Sequence, residues 1–321
     1  MKRSIVLLLV ASLLCLCTAA FAAETYPSKP ISVIIPFAAG GGTDSQARLF
    51  LKFLEEKLGK PMVIVNRPGA GGEIGMTHIS KAVPDGYTLG VIAYCDSFIR
   101  SKYKETTYKN DDYVYIATPV NSPVIFLAKP DSPFKTLEEL VKHAKSTGTN
   151  VSVGIASDAH YLAVKMFAEQ AGIGITPVFF KSGAAASNAL LGGHVDTQST
   201  TLQFGKIGVE SGASVLGIAN EVRVKTMPEG KTFREQGYDV IVKQSRILLA
   251  PKATPKEVTD LLEKQMREAL KTPELIERIE ALGEVYDPLV GKDLLEMIEE
   301  TEKTLGPVVE RNATELLTGQ Q

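Results

Sequence analysis

The stretch PFAAGGGTD, residues 36–44, sets Gly40, Gly41 and Gly42 between an apolar run, Ile31 to Ile35, and a helical pattern that begins near Ala47. Glycine loses more backbone entropy on folding than any other residue, so three in succession are costly. What they offer is bare backbone. With no side chains in the way, N–H groups can approach a ligand, and the N-terminus of the following helix adds the positive end of a dipole. That chemistry suits an anion such as a carboxylate. A tight turn needing positive φ is the structural alternative, but one glycine normally serves it. A second loop, NRPGAGGEIG, repeats the design. Met62 to Val65 reads as a strand, and Gly69, Gly71, Gly72 and Gly75 precede a further helical stretch, Met76 to Ala82. In an open parallel sheet, loops at the carboxyl ends of neighbouring strands face one crevice. Two glycine-rich loops there would build one site from two backbones.

Other chemistries leave no trace. A dinucleotide loop needs glycine at first, third and sixth positions, and counting from Gly69 the sixth is Ile74. There is no Gly-x-x-x-x-Gly-Lys-Ser/Thr phosphate loop and no Gly-x-Ser-x-Gly nucleophile elbow. The four histidines, His78, His143, His160 and His194, form no metal-type pair with each other or with cysteine. An enzyme on this chain would lack a visible catalytic constellation, and no metal or cofactor is expected.

The elements that must position the loops alternate. Strand-length apolar runs occur at 31–35, 62–65, 88–93, 124–128, 151–155, 176–180 and 247–250, with helical patterns between them at 47–58, 137–144, 161–171 and 184–191. Such alternation predicts parallel sheets in an α/β protein. After Pro255 come three charged helices, at 256–271, 274–281 and 292–305. Ala47, Phe50, Leu51, Leu54 and Leu58 share one helical face, Thr43 and Gln46 suggest a capping box, and Gly59 stands where a helix ends. A chain of about 300 residues is near the size at which cores divide. Ser122-Pro123 and Lys243 to Arg246 are the expected crossings, so residues 24–122 with 247–321 form one lobe and 123–246 the other.

Composition agrees. The 321 residues are 44% hydrophobic and 22% charged, with a net charge of −2 and no basic tract, which argues against a nucleic-acid binder. Lys2 and Arg3, the apolar run Ile5 to Cys17 and the small-x-small sequence Ala20-Phe21-Ala22 read as an export signal over residues 1–23, cleaved near Ala22 or Ala23. The run is short for a membrane span, and Cys15 and Cys17 lack the small preceding residue of a lipoprotein signal. Cleavage takes the charge from −2 to −4 and leaves Cys95 as the one cysteine, read as a small buried hydrophobe rather than a reactive thiol.

The ordered motifs YPSKPISVIIPFAAGGGTD, NRPGAGGEIG and AVPDGYTLG, followed by GIASDAHYLAVKMFAEQAG, LLGGHVD and LLAPKATPKEV, closely resemble the solute receptors of tripartite tricarboxylate transporters, the Bug family. The likeness spans the whole mature chain. It implies a periplasmic, monomeric, non-enzymatic protein of two α/β lobes in the type II manner, each a mostly parallel sheet flanked by helices and joined by a hinge. Its ligand would be a small carboxylate, passed to membrane transporter subunits. By resemblance the ligand carboxylate is held by backbone N–H groups and bridging water at Phe37, Ala38, Ala39, Gly40, Gly41, Gly42, Thr43 and Asp44, and at Gly69, Ala70, Gly71, Gly72 and Ile74. Ser157 and His160 match a serine and histidine in the first inter-lobe loop of the second lobe. His160 also fits a satisfied structural histidine, and Asp196 in GGHVD fits either a cleft contact or a structural cap.

Four places depart from the family pattern and should set ligand choice: Phe180-Lys181-Ser182-Gly183, where a tyrosine hydroxyl is missing; the polar TQSTTLQ after Asp196; a cleft loop Tyr94-Cys95-Asp96-Ser97; and Arg246. Arg246 would lie on the cleft floor, holding a ligand carboxylate or bracing the hinge through a protein acid. A ligand sensor or an extracytoplasmic enzyme on the same scaffold is the rival reading.

Overall fold

The computed structural model describes residues 26–318. The export signal read over 1–23 lies outside them. Ten strands form one curled mixed sheet: β1 (Ile31–Ile35), β2 (Met62–Asn66), β3 (Thr88–Ala93), β4 (Tyr113–Ala128), β5 (Val151–Ile155), β6 (Ile175–Phe179), β7 (Thr197–Thr201), β8 (Ser214–Ile218), β9 (Lys243–Pro251) and β10 (Tyr286–Val290). The order is β2-β1-β3-β9-β4-β7-β5-β6, with β8 and β10 also paired to β4 off this path, β8 along its C-terminal half and β10 along its N-terminal half.

The helices are α1 (Gly42–Leu58), α2 (Glu73–Ser80), α3 (Tyr94–Tyr103), α4 (Leu137–Thr147), α5 (Asp158–Ala171), α6 (Gly183–Leu191), α7 (Leu202–Glu210), α8 (Lys256–Leu270), α9 (Pro273–Ala281), α10 (Lys292–Arg311) and α11 (Ala313–Thr318).

Among the described strands, parallel pairs make two triplets, β2-β1-β3 and β6-β5-β7. Between them run β9 and the 16-residue β4, antiparallel to each other and to their neighbours. The sheet is therefore mixed rather than mostly parallel. Both connecting strands traverse the middle, where Asn121 pairs with Ser245, Ser122 with Gln244 and Pro123 with Lys243. Because the triplets are parallel, the carboxyl ends of β1, β2 and β3 meet those of β5, β6 and β7 across this junction, where open α/β sheets bind ligands.

Sequence explains the two site-forming helices. In α1, Ala47, Phe50, Leu51 and Leu54 are buried on one stripe, and Gly59 closes the helix in the left-handed region at φ 66°. The expected Thr43–Gln46 capping box does not form. Gly41 is the N-cap without a side-chain bond, and Gln46 instead donates to Glu284 at 2.8 Å. In α5, Ser157 caps the helix through the His160 N–H. The apolar core sits beneath both triplets, and α10 covers α3, with Tyr94 donating to Glu302 at 2.6 Å.

Candidate functional site

A cavity of about 600 Å3 opens at the junction, lined from both triplets. From one side come the loops after β1 and β2 and the first turns of α3. From the other come the loops after β5, β6 and β7, with Gln244 and Arg246 of β9 on the floor.

The first loop is shaped for approach. Gly40 takes φ 75° while its N–H donates to Asp44 at 2.9 Å, and Gly41 donates back to Ala38. No side chain caps α1, and the first-turn N–H groups of a helix have no acceptor within it. Gly42 and Thr43 line the cavity at that terminus. Gly42 is also a meeting point: a Cβ there would lie 3.7 Å from Arg246 Nη2 and 3.8 Å from the Phe204 ring. The second loop is a run of positive φ, 134°, 47°, 64° and 100° from Gly69 through Ala70, Gly71 and Gly72. Gly71 admits Arg100, since a Cβ would sit 2.0 Å from its Nη2.

Arg246 decides what the floor can do. It is 2% exposed, donates from Nη2 to Gln244 Oε1 at 2.9 Å, and has no partner for Nε or Nη1. Among the described residues no acid forms an ion pair with it. Burial lowers its pKa, and the nearby Glu284 and Asp96 carboxylates oppose this; a guanidinium nonetheless stays charged. His160, 4% exposed, leaves both ring nitrogens unpartnered. Burial first, then the charge of Arg246, pushes its pKa down to about 3, so the ring is neutral with one donor and one acceptor to offer. The Thr201 hydroxyl is likewise buried and unpartnered. These atoms converge on one cavity as a desolvated cation with neutral donors, an arrangement that stabilises an anion.

The lining's carboxylates are already engaged. Asp96 accepts from the Ala159 N–H at 2.9 Å and from Gln244 Nε2 at 3.2 Å; burial raises its carboxyl, which the Ala159 bond, Arg246 and Ser157 oppose. Asp158 pairs with Arg100 at 3.3 Å and accepts from Tyr103 at 3.1 Å.

Of the sequence-predicted residues, Phe37, Ala38, Gly41, Gly42, Thr43, Gly69, Gly71, Gly72, Ser157, His160, Ser182 and Arg246 line the cavity. Seven do not. Ala39, Gly40 and Ala70 are exposed on the loops outside the lining, and Ile74 projects to solvent at 54% exposure. Asp44 turns inward as a brace; burial alone would raise its carboxyl, but bonds from Arg48, the Gly40 N–H and Asn66 hold it below the usual range. Tyr94 faces Glu302. Asp196 pairs with Lys129 and Ser152 beside β5 and β7, as a structural cap would. The segment 94–97 is no loop but the first turn of α3. Arg100, Asp158, Gln244 and Phe204 also line the cavity and were not singled out. The i, i+4 spacing of Asp96 and Arg100, which puts both on one helical face, was the available signal.

A two-triplet α/β fold with a cavity of backbone donors and a buried cation between the halves defines a solute-binding protein. Residues 47–313 match the family model described as "Tripartite tricarboxylate transporter family receptor", and the chain belongs to this TctC family, whose members are solute receptors rather than enzymes. A UPF0065 protein from the TAR-I ttuE-ttuC′ intergenic region of Agrobacterium vitis is 31% identical over 88% of this chain and 83% of its own. The solved periplasmic binding protein BugD superposes with a TM-score of 0.80 at 29% identity, covering 89% of this chain and 98% of that one. MatC from Rhodopseudomonas palustris, solved with bound malate, gives 0.79 at 28% identity over 89% and 100%.

Proposed function

We propose that the protein captures a small carboxylate outside the cytoplasm and delivers it, as a monomer, to the membrane subunits of a tripartite tricarboxylate-type transporter. One observation carries the reading: the buried Arg246 guanidinium holds two unpartnered nitrogens beside the uncapped N-terminus of α1. The malate in MatC supports the ligand class. Residues 24–122 with 247–321 and residues 123–246 act as two lobes that close about the β4–β9 crossing, each bringing half of the site. Residues 1–23 direct export and are removed.

Thermal-shift screening of the mature protein, starting near Ala23, against carboxylic acids and their amides tests this. A bound acid at about 100 times its Kd adds about 2.7 kcal/mol, and its amide should add little. Equal shifts from acid and amide would remove the anion model.

A further inference from the structure

We infer that the ligand carries a single carboxylate on a planar, apolar body. This deepens the carboxylate reading and rests on it. The first observation is the charge inventory of the cavity. Its lining holds three cations and two carboxylates, Arg100, Lys181, Arg246, Asp96 and Asp158. Arg100 is committed to Asp158. Arg246 is the buried cation of the lining without an ion pair among the described residues, and Lys181 is exposed at the mouth. His160 is neutral. One carboxylate against Arg246 and the α1 terminus uses the available charge. A second, deeper in the cavity, would lose its water without gaining a cation and would face the Asp96 and Asp158 carboxylates.

The second observation is the rest of the wall. Phe37, Phe179, Phe180 and Phe204 line it, with Pro36 and Pro68. Three of the rings rest on glycine backbone. A Cβ at Gly183 would lie 2.6 Å from the Phe204 ring, one at Gly72 3.5 Å from Phe37, and one at Gly154 3.5 Å from Phe180. Rings so placed form a firm apolar surface, suited to stacking with a flat body and unsuited to hydroxyls or further carboxylates. Phe204 comes within contact of Gly42, where Arg246 also arrives, so the stacking surface begins where the carboxylate would be held. The cavity lies within the size range that encloses ring-bearing small molecules.

Calorimetry on the mature protein with benzoate, 3-phenylpropanoate, succinate and citrate separates the outcomes. The aryl monocarboxylates are expected to bind at least about tenfold more tightly than succinate or citrate. Tighter binding of succinate or citrate overturns this inference and leaves the carboxylate reading standing; absence of binding by all four acids overturns both. Phe204→Leu keeps an apolar side chain at this buried position and should weaken the aryl acid about tenfold while the melting temperature falls by only about 2–4 °C. Undiminished aryl-acid binding by a folded Phe204→Leu protein also counts against the stacking wall, and Phe180→Leu repeats the test if the first variant does not fold.

Discussion

Replacing Arg246 with glutamine separates a ligand-binding arginine from a bracing one. The side chain keeps most of its reach and loses its charge. In the protein it makes one hydrogen bond, to Gln244, and no ion pair among the described residues, so little in the ligand-free structure depends on it. Removing a desolvated cation relieves one cost, while Asp96 and Glu284 lose a compensating neighbour. These oppose each other, and the net change in ligand-free stability is expected to stay within about 2 kcal/mol. Binding should respond far more. Hydrogen bonds to charged groups contribute about 1.5–3 kcal/mol each. Two unpartnered nitrogens, Nε and Nη1, give about 3 kcal/mol at the low end, on the order of a 100-fold loss. Calorimetry of wild type and Arg246→Gln with one carboxylate, alongside melting curves without ligand, supplies both numbers. A variant that binds the acid as tightly as wild type refutes the role assigned to Arg246. A melting temperature that collapses, with every ligand weakened alike, returns it to a brace.

Three further outcomes follow from the same geometry. Gly71→Ala puts a Cβ 2.0 Å from Arg100 Nη2 at a left-handed φ of 64°, and should cost about 1–3 kcal/mol in urea unfolding; an unchanged midpoint would show that loop and Arg100 shift freely. His160 has its pKa depressed from its ordinary 6.5 to about 3, so the unfolded chain takes up its proton first and this contribution to stability is lost as pH falls from about 6.5 toward 3. Arg246 lies beside it, and Asp96 and Glu284 beside Arg246, so the wild-type curve mixes several groups; the difference between wild type and His160→Gln should instead change by about 1.4 kcal/mol per pH unit between pH 6 and 4, and a flat difference contradicts the buried neutral ring. Asp44→Asn weakens the loop brace to Gly40, Arg48 and Asn66 and should destabilise by about 1–3 kcal/mol at pH 7. Because the Asp44 pKa is lowered, that deficit should vanish as pH falls below the ordinary carboxylate range, and persistence there would mean packing rather than charge.

The two glycine loops were legible because glycine clusters between an apolar run and a helical pattern have a physical cost that asks for a reason. Ser122-Pro123 and Lys243 to Arg246 read as breaks in the alternation, and the structure pairs those two segments with each other. What escaped was buried polarity. Strand β7, TQSTT, has all five residues buried in the middle of the sheet, yet its sequence carries none of the apolar alternation that marks a strand. Tyr94, Cys95, Asp96 and Ser97 follow β3 without a helix-start signal and read as a loop; they are the first turn of α3, a helix buried on nearly every side against α5 and α10. The strand from Tyr113 to Pro123 contains Pro119, which argues against an interior strand, and the register slips there. Asp44 and Asp196 matched motif positions near the cleft, but sequence spacing cannot tell a carboxylate aimed at a ligand from one aimed at the backbone that shapes its loop.

The most direct measurement of the central claim is a crystal structure of the mature protein saturated with the carboxylate that stabilises it most. The carboxylate oxygens should lie within hydrogen-bond distance of the Arg246 guanidinium and of the Gly42 or Thr43 N–H. A carboxylate held elsewhere in the cavity, with Arg246 still unengaged, would contradict it.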